Sequence, residues 1–338
     1  MRGLLDRWRL GADQAATDET AAALLNPATR VTLKQLLDLQ GHAGKLDLTR
    51  RQPARAHLAG NHASRFRGRG MDYQESRNYQ PGDDIRNMDW RVTARVGRPH
   101  TKLFQEERER PVIFLIDLGP SLFFATRGAL KSVVAVRAAT LLAWAAAAQG
   151  DRIGALLFNG GHHELKPRSR HRGVLQLIHA IVEQSDPLKG LAADPHSNGL
   201  SDALIRLRRI VRPGSLVFCI SDFLTLDEGT ADELLRLRQH SDVVCLQITD
   251  PIEVNTPPPG RYGVSDGVQA GVLDTGSGEG RRHYREFFQA RQQRLQQLTG
   301  QRGIPLVQLS TSDNVTEALQ ARFGGRRRLP AVSGGAPA

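Results

Sequence analysis

Cysteine is almost missing from this chain: Cys219 and Cys245 are the only two in 338 residues. Both sit inside apolar runs that read as strands, residues 215–220 and 243–248, so a disulfide framework is excluded and both thiols are expected to be reduced core groups. Aromatic residues are scarce at 5%, which leaves few rings for stacking nucleic-acid bases. Long apolar runs are missing too. The longest, residues 138–148, is bracketed by Arg137 and Gln149 and falls short of the roughly 20 residues a bilayer requires. It reads as a buried helix, and no membrane span is expected. The first residues include Arg2, Asp6 and Arg7 and have no apolar core before a cleavage site. No secretory signal is therefore expected, and cytoplasmic residence follows as the default.

The common catalytic patterns are absent as well. No Gly-x-Ser-x-Gly elbow occurs. Gly128, Lys131 and Ser132 echo the end of a phosphate-binding loop, but the earlier glycine is lacking and the segment adjoins a helix, so an ATPase is excluded. His162, His163 and Glu164 are adjacent, with no second cluster at ligand spacing, and read as an exposed loop. A phosphatase with Asp117 as nucleophile would want a second acid where Gly119 stands. The chain is not expected to be an enzyme.

What is present is positive charge. Lys plus Arg outnumber Asp plus Glu by 46 to 35, a net charge of +11, which favours an acidic partner: nucleic acid, an anionic membrane or an acidic protein. Residues 65–70 interleave arginine, glycine and Phe66, the pattern that makes a nucleic-acid-binding protein the alternative reading. Residues 326–338 begin with three arginines and continue in Pro, Gly, Ala and Ser, which predicts a disordered basic tail.

A hydrophobic content of 40% over this length fits one large domain and a smaller one. Residues 1–26 are expected to be flexible. Residues 27–110 are expected to form an N-terminal lobe, with a helical stripe at Leu33, Leu36, Leu37 and Leu39 and irregular β structure beyond residue 51. From 111 to 325 strands and helices alternate, interrupted near 250–280 by a Pro257-Pro258-Pro259 segment that reads as a loop or small hairpin. The prediction is an α/β fold, a doubly wound and mostly parallel sheet preceded by a small β-rich lobe.

In such a sheet ligands bind beyond the carboxyl ends of the strands. The first strand there delivers Asp117 and Ser121, and a central one delivers Ser221 and Asp222. These are hard oxygen groups of the kind Mg2+ takes. Their arrangement resembles the metal-ion-dependent adhesion site of von Willebrand factor A domains, Asp-x-Ser-x-Ser after the first strand. Asp117 and Ser121 match its ends, Gly119 replaces its middle serine, and Asp222 matches its final acid. Ser197 or Asn198 stands near the position of its threonine. The resemblance implies Mg2+ on Asp117, Ser121, Asn198 and Asp222, with a partner's carboxylate completing the shell and no turnover. Without a metal, the same two acids would cap the following helices and accept from loop amides.

A longer match begins at residue 64. Arg77, Tyr79, Gly82, Asp83, Arg86, Asp89 and Trp90 follow the hallmark Arg-x-Tyr-x-x-Gly-Asp-x-x-Arg-x-x-Asp-Trp, and the chain resembles family 58 of the domains of unknown function. That resemblance implies association with a MoxR-type AAA+ ATPase in assembling or remodelling a client protein, with Arg77, Tyr79, Asp83, Arg86, Asp89 and Trp90 as candidate partner contacts. By residue type alone, Pro81-Gly82 marks a turn, and Asp83 and Asp84 suit nearby backbone amides. Arg77, Arg86, Arg91 and Arg95 either pair with these acids and Asp89 or present a basic face. Trp90 reads as a core anchor.

Overall fold

The leucine stripe after Val31 produces a short helix, α1 (Leu33–Asp38), followed at once by α2 (Gln40–Ala43). Thr32 starts α1 with a capping box: its hydroxyl accepts from the Gln35 amide, and the Gln35 side chain accepts from the Thr32 amide. Two amides that a helix start would leave free are thereby satisfied. The structure is a computed structural model and describes residues 26–48, 71–80, 83–106, 109–191, 199–265 and 270–324. Contacts divide the chain into two compact units, Gln52–Glu109 and the remainder, Met1–Arg51 with Arg110–Ala338.

In the smaller unit β1 (Met71–Asn78) pairs antiparallel with β2 (His100–Glu106). The expected β lobe also carries a helix, α3 (Trp90–Val96), between these strands. Asp89 caps its start by accepting from the Val92 amide, and Gly97 ends it at φ 70°, a left-handed conformation open to glycine.

The larger unit is built on a sheet of β3 (Pro111–Asp117), β4 (Arg152–Phe158), β5 (His162–Ser169), β6 (Leu216–Ser221), β7 (Asp242–Thr249) and, after a separate hairpin of β8 (Arg261–Ser265) and β9 (Ala270–Asp274), β10 (Leu306–Ser310). Its order is β10-β7-β6-β3-β4-β5, and only the β4–β5 pair is antiparallel. The first strand in sequence is therefore central. Strand order reverses between β3 and β6, which makes their carboxyl ends the switch point of a doubly wound sheet.

Helices cover both faces, as the continuous apolar strands require. Val112, Phe114 and Ile116 of β3 face a core shared with α4 (Lys131–Ala148) and α5 (Arg170–Gln184), joined by α11 (Val315–Phe323). The alternate residues Ile113 and Leu115 face α7 (Leu200–Ile210), α8 (Glu228–His240) and Leu295 of α10 (Gly278–Gln301). Two short helices, α6 (Pro187–Leu191) and α9 (Pro251–Val254), complete the described set. By length and composition α4 could cross a bilayer, but 89% of it is buried inside this unit. That is how a core helix looks. Cys219 and Cys245 are buried free thiols on neighbouring strands.

One boundary needs correction. Residues 27–48, assigned from sequence to the lobe, pack into the α/β unit. Val31, Leu36, Ala43, Leu46 and Leu48 join the α4 core. Trp144 of α4 donates to the Leu36 carbonyl at 3.1 Å, and the Asp47 amide to the Phe323 carbonyl at 2.7 Å. An amphipathic stripe states that one face is buried and not what buries it. Residues 1–25, 65–70 and 326–338 lie outside the described residues.

Candidate functional site

At the carboxyl ends of three neighbouring strands, β3, β6 and β7, the chain brings Asp117, Ser221, Asp222 and, just beyond β7, Asp250 and Glu253 together. Asp117 ends β3 and is 7% exposed. One of its oxygens accepts from the Gly119 amide at 2.9 Å, the other from the Ser221 hydroxyl at 2.6 Å. Ser221 ends β6, and its oxygen also accepts from the Phe223 amide. Phe223 is held at φ 54° with its ring buried, an uncommon left-handed conformation for a bulky residue. It turns the chain sharply just beyond Asp222.

Asp222 is fully buried, and its partner is a lysine. Lys131 Nζ lies 2.8 Å from one Asp222 oxygen and 2.7 Å from Glu253 of α9, with 1% of its side chain exposed. The other Asp222 oxygen accepts from the Leu224 amide at 2.9 Å. Arg291 of α10 closes the back of the crevice, donating to the Asp222 carbonyl at 2.6 Å. Glu253 uses its second oxygen in a capping box with Asp250. Asp250 in turn accepts from Thr126, Thr311 and the Ile252 amide, which ties the loops after β3, β7 and β10 together.

The electrostatics follow from this geometry. Burial, and then the charge of Asp222, push the Asp117 carboxyl up to about 7. Burial works against ionised Asp222 too, but Lys131 and Arg291 outweigh it and hold that carboxyl below its ordinary value. For Lys131 burial is likewise opposed, and Asp222 and Glu253 raise its pKa.

A divalent metal does not fit these residues. The acid that would be its final ligand is already neutralised by an ammonium group, and both Asp117 oxygens are engaged by the protein's own donors. Gly119 offers no hydroxyl, and a Cβ placed there would come within 3.1 Å of an Asp117 oxygen. Ser121 is half-buried in a turn of 3-10 helix and has no hydrogen bond to either acid. Asn198 lies outside the described residues. Among the described residues no three His, Cys, Asp or Glu side chains are grouped to hold a metal. Of the two roles left open by sequence, the loop-amide role is the one seen: Asp117 and Asp222 each accept from an amide two residues on. Neither caps a helix.

Sequence reading missed Lys131, Glu253 and Arg291. The signal for the first was a lone lysine at the start of an otherwise apolar helix, next to a strand-end acid.

The hallmark residues lie in the smaller unit. Arg77 pairs with Asp83 at 2.8 Å, and Asp83 also accepts from the Gln80 amide. Asp84 accepts from the Arg86 amide, and Asp89 from the Ser76 hydroxyl at 2.7 Å. Of the two alternatives for the arginines, pairing is seen for Arg77 alone, while the acids otherwise serve local turns and caps. Arg86, Arg91 and Arg95 are exposed and form no ion pair among the described residues. Tyr79 is half-buried. Trp90 is 66% exposed, which overturns its reading as a core anchor. Gly82 lies outside the described residues.

The family model described as protein of unknown function DUF58 matches residues 75–297, spanning both the hallmark and the crevice. The chain belongs to the DUF58 family. It is 32% identical over 232 residues to the uncharacterized protein Rv1480 of Mycobacterium tuberculosis strain H37Rv, a match covering 68% of this chain and 70% of the relative. The uncharacterized protein Mb1516 of Mycobacterium bovis matches to the same extent. Among solved structures, the conserved hypothetical protein BatB from Bacteroides thetaiotaomicron is 16% identical, with a TM-score of 0.41 over 63% of this chain and 96% of its own. A von Willebrand factor type A protein from Catenulispora acidiphila is 14% identical, with a TM-score of 0.31 over 44% of this chain and 34% of its own.

Proposed function

We propose that this DUF58 chain is a non-catalytic, cytoplasmic adaptor that binds another protein at the carboxyl ends of its sheet. The observation that carries the reading is three exposed apolar side chains on the segments that follow three adjacent strands. Phe124 follows β3 at 42% exposure, Leu224 follows β6 at 41%, and Val254 follows β7 at 69%. Large apolar groups grouped at one end of a domain favour contact with another surface. The ion cluster beneath them, with Lys131 held between Asp222 and Glu253, supports a rigid platform for those segments.

The partner we assign first is a MoxR-type AAA+ ATPase, on the strength of the family resemblance, with a client protein as the further target. The test is co-expression with the MoxR-type ATPase of the same organism, followed by size-exclusion chromatography of wild type and of Phe124→Asp/Leu224→Asp. A complex that forms with wild type and is lost in the double variant supports the reading. A complex that survives both changes removes the strand-end face. No complex with wild type removes the ATPase.

A further inference from the structure

Beside the crevice, α10 overhangs the sheet and leaves two hollows along its flank. One, about 410 Å³, lies over β7 and β10 and is lined by glutamine amides together with Val254, Phe288 and Arg291. The other, about 620 Å³, lies between the Pro257–Pro259 segment and Arg281, Arg282 and Arg285. Thr256 and Arg285 line both, so the two form one groove. Its lining runs along α10 from Arg281 to Gln296, about 22 Å at the rise of an α-helix. An extended segment of about seven residues spans that length.

Charge and hydrogen bonding are unevenly distributed along the groove. At the proline end, Arg281 and Arg285 have no carboxylate partner among the described residues, and Arg282 has only a 4.0 Å contact with Glu286. At the sheet end three glutamines form a chain in which Gln308 donates to Gln247 and Gln247 donates to Gln292. The chain ends on a donor, Gln292 Nε2, which is buried with no acceptor. Glu253 and Asp313 line this same end.

We infer that the α10 groove binds an extended acidic segment of a partner protein, its carboxylates against Arg281 and Arg285 and its remaining residues along the glutamine-lined end. A nucleic acid fits less well, since its evenly spaced phosphates would meet Glu253 and Asp313 at the sheet end. The groove shares Val254, Glu253 and Arg291 with the strand-end site, but the inference goes beyond that face, for neither Phe124, Leu224 nor Lys131 is needed to hold the segment.

The test uses the full chain and fluorescence anisotropy with three labelled probes. They are the peptide Glu-Asp-Glu-Gly-Val-Gln-Ser, the same peptide with lysine at its acidic positions, and an oligothymidylate. The acidic peptide is expected to bind and the lysine peptide not to. Arg281→Glu/Arg285→Glu, with an unchanged melting temperature, is expected to weaken the acidic peptide by at least about tenfold, as reversal of two charge contacts implies. Absence of acidic-peptide binding, indifference to the charge reversal, or tighter binding of the oligothymidylate overturns the inference. Because Phe124 and Leu224 are untouched in this variant, failure here leaves the strand-end face standing, and failure of the ATPase complex leaves the groove standing.

Discussion

Lys131 stands where helix electrostatics disfavour it, since a cation in the first turn of a helix opposes the macrodipole. It is stable there because two carboxylates brought by β6 and α9 hold it, at 2.8 and 2.7 Å. Removing the ammonium would leave Glu253 without its counter-charge and Asp222 with only the guanidinium of Arg291, 3.9 Å away. Lys131→Met is therefore expected to lower the free energy of unfolding by about 3–5 kcal/mol in urea denaturation; a loss under about 1 kcal/mol would mean that water already reaches the acids. With the ammonium in place the crevice needs no metal, so the melting temperature of wild type should be the same in Mg2+ and in EDTA. A rise in Mg2+ would defeat the internal-cation account. Asp117 is the other sensitive group. Its carboxyl titrates near 7 in the fold against an ordinary 3.8. Its stabilising contribution is complete below about pH 4 and declines as pH approaches 7, because the unfolded chain releases the proton first. The stability difference between wild type and Asp117→Asn should thus fall across that window, and a difference that rises instead would show Asp117 ionised in the folded state.

Strands and long helices were the part of the fold most legible in the sequence. The alternation from residue 111 predicted the α/β sheet, and the apolar runs at 215–220 and 243–248 predicted β6 and β7, because each is buried and so must be written in apolar residues. The acids at strand ends were legible for the same topological reason. Their partner was not: Lys131 meets Asp222 and Glu253 across 91 and 122 positions, and no local pattern records such a pairing. Trp90 was misread because residue type carries an average, while α3 is a short helix that leaves its first residue outward. The loop that aims Lys131 shows how closely these elements approach. Gly128 sits at φ 73°, and a Cβ there would lie 2.1 Å from the Thr311 carbonyl oxygen. Gly128→Ala is expected to cost more than about 1 kcal/mol by thermal denaturation, combining a left-handed backbone with a backbone clash. A neutral result would require the β10 loop to move away, which would also break the bond from the Ala129 amide to Thr311.

At the scale of the whole molecule, the α/β unit is discontinuous in sequence. Residues 26–48 contribute to its core from one side of the smaller unit in the chain, and Arg110 onward supplies the rest. Leu36 and Leu48 are among the largest side chains buried completely, and Leu36 also presents the carbonyl that Trp144 requires. A chain beginning at residue 52 would therefore expose the largely apolar face of α4 that these residues cover and leave the Trp144 ring nitrogen unpaired. We expect that truncated chain to melt at a lower temperature than the full chain and to bind the hydrophobic dye ANS. The single substitution Leu36→Ala in the full chain provides the graded version, with an expected loss of about 2–5 kcal/mol from the cavity it leaves. If truncation and Leu36→Ala both leave the melting temperature unchanged, the N-terminal helices are not part of the core. The unit would then begin at residue 111, where the sequence pattern alone had placed it.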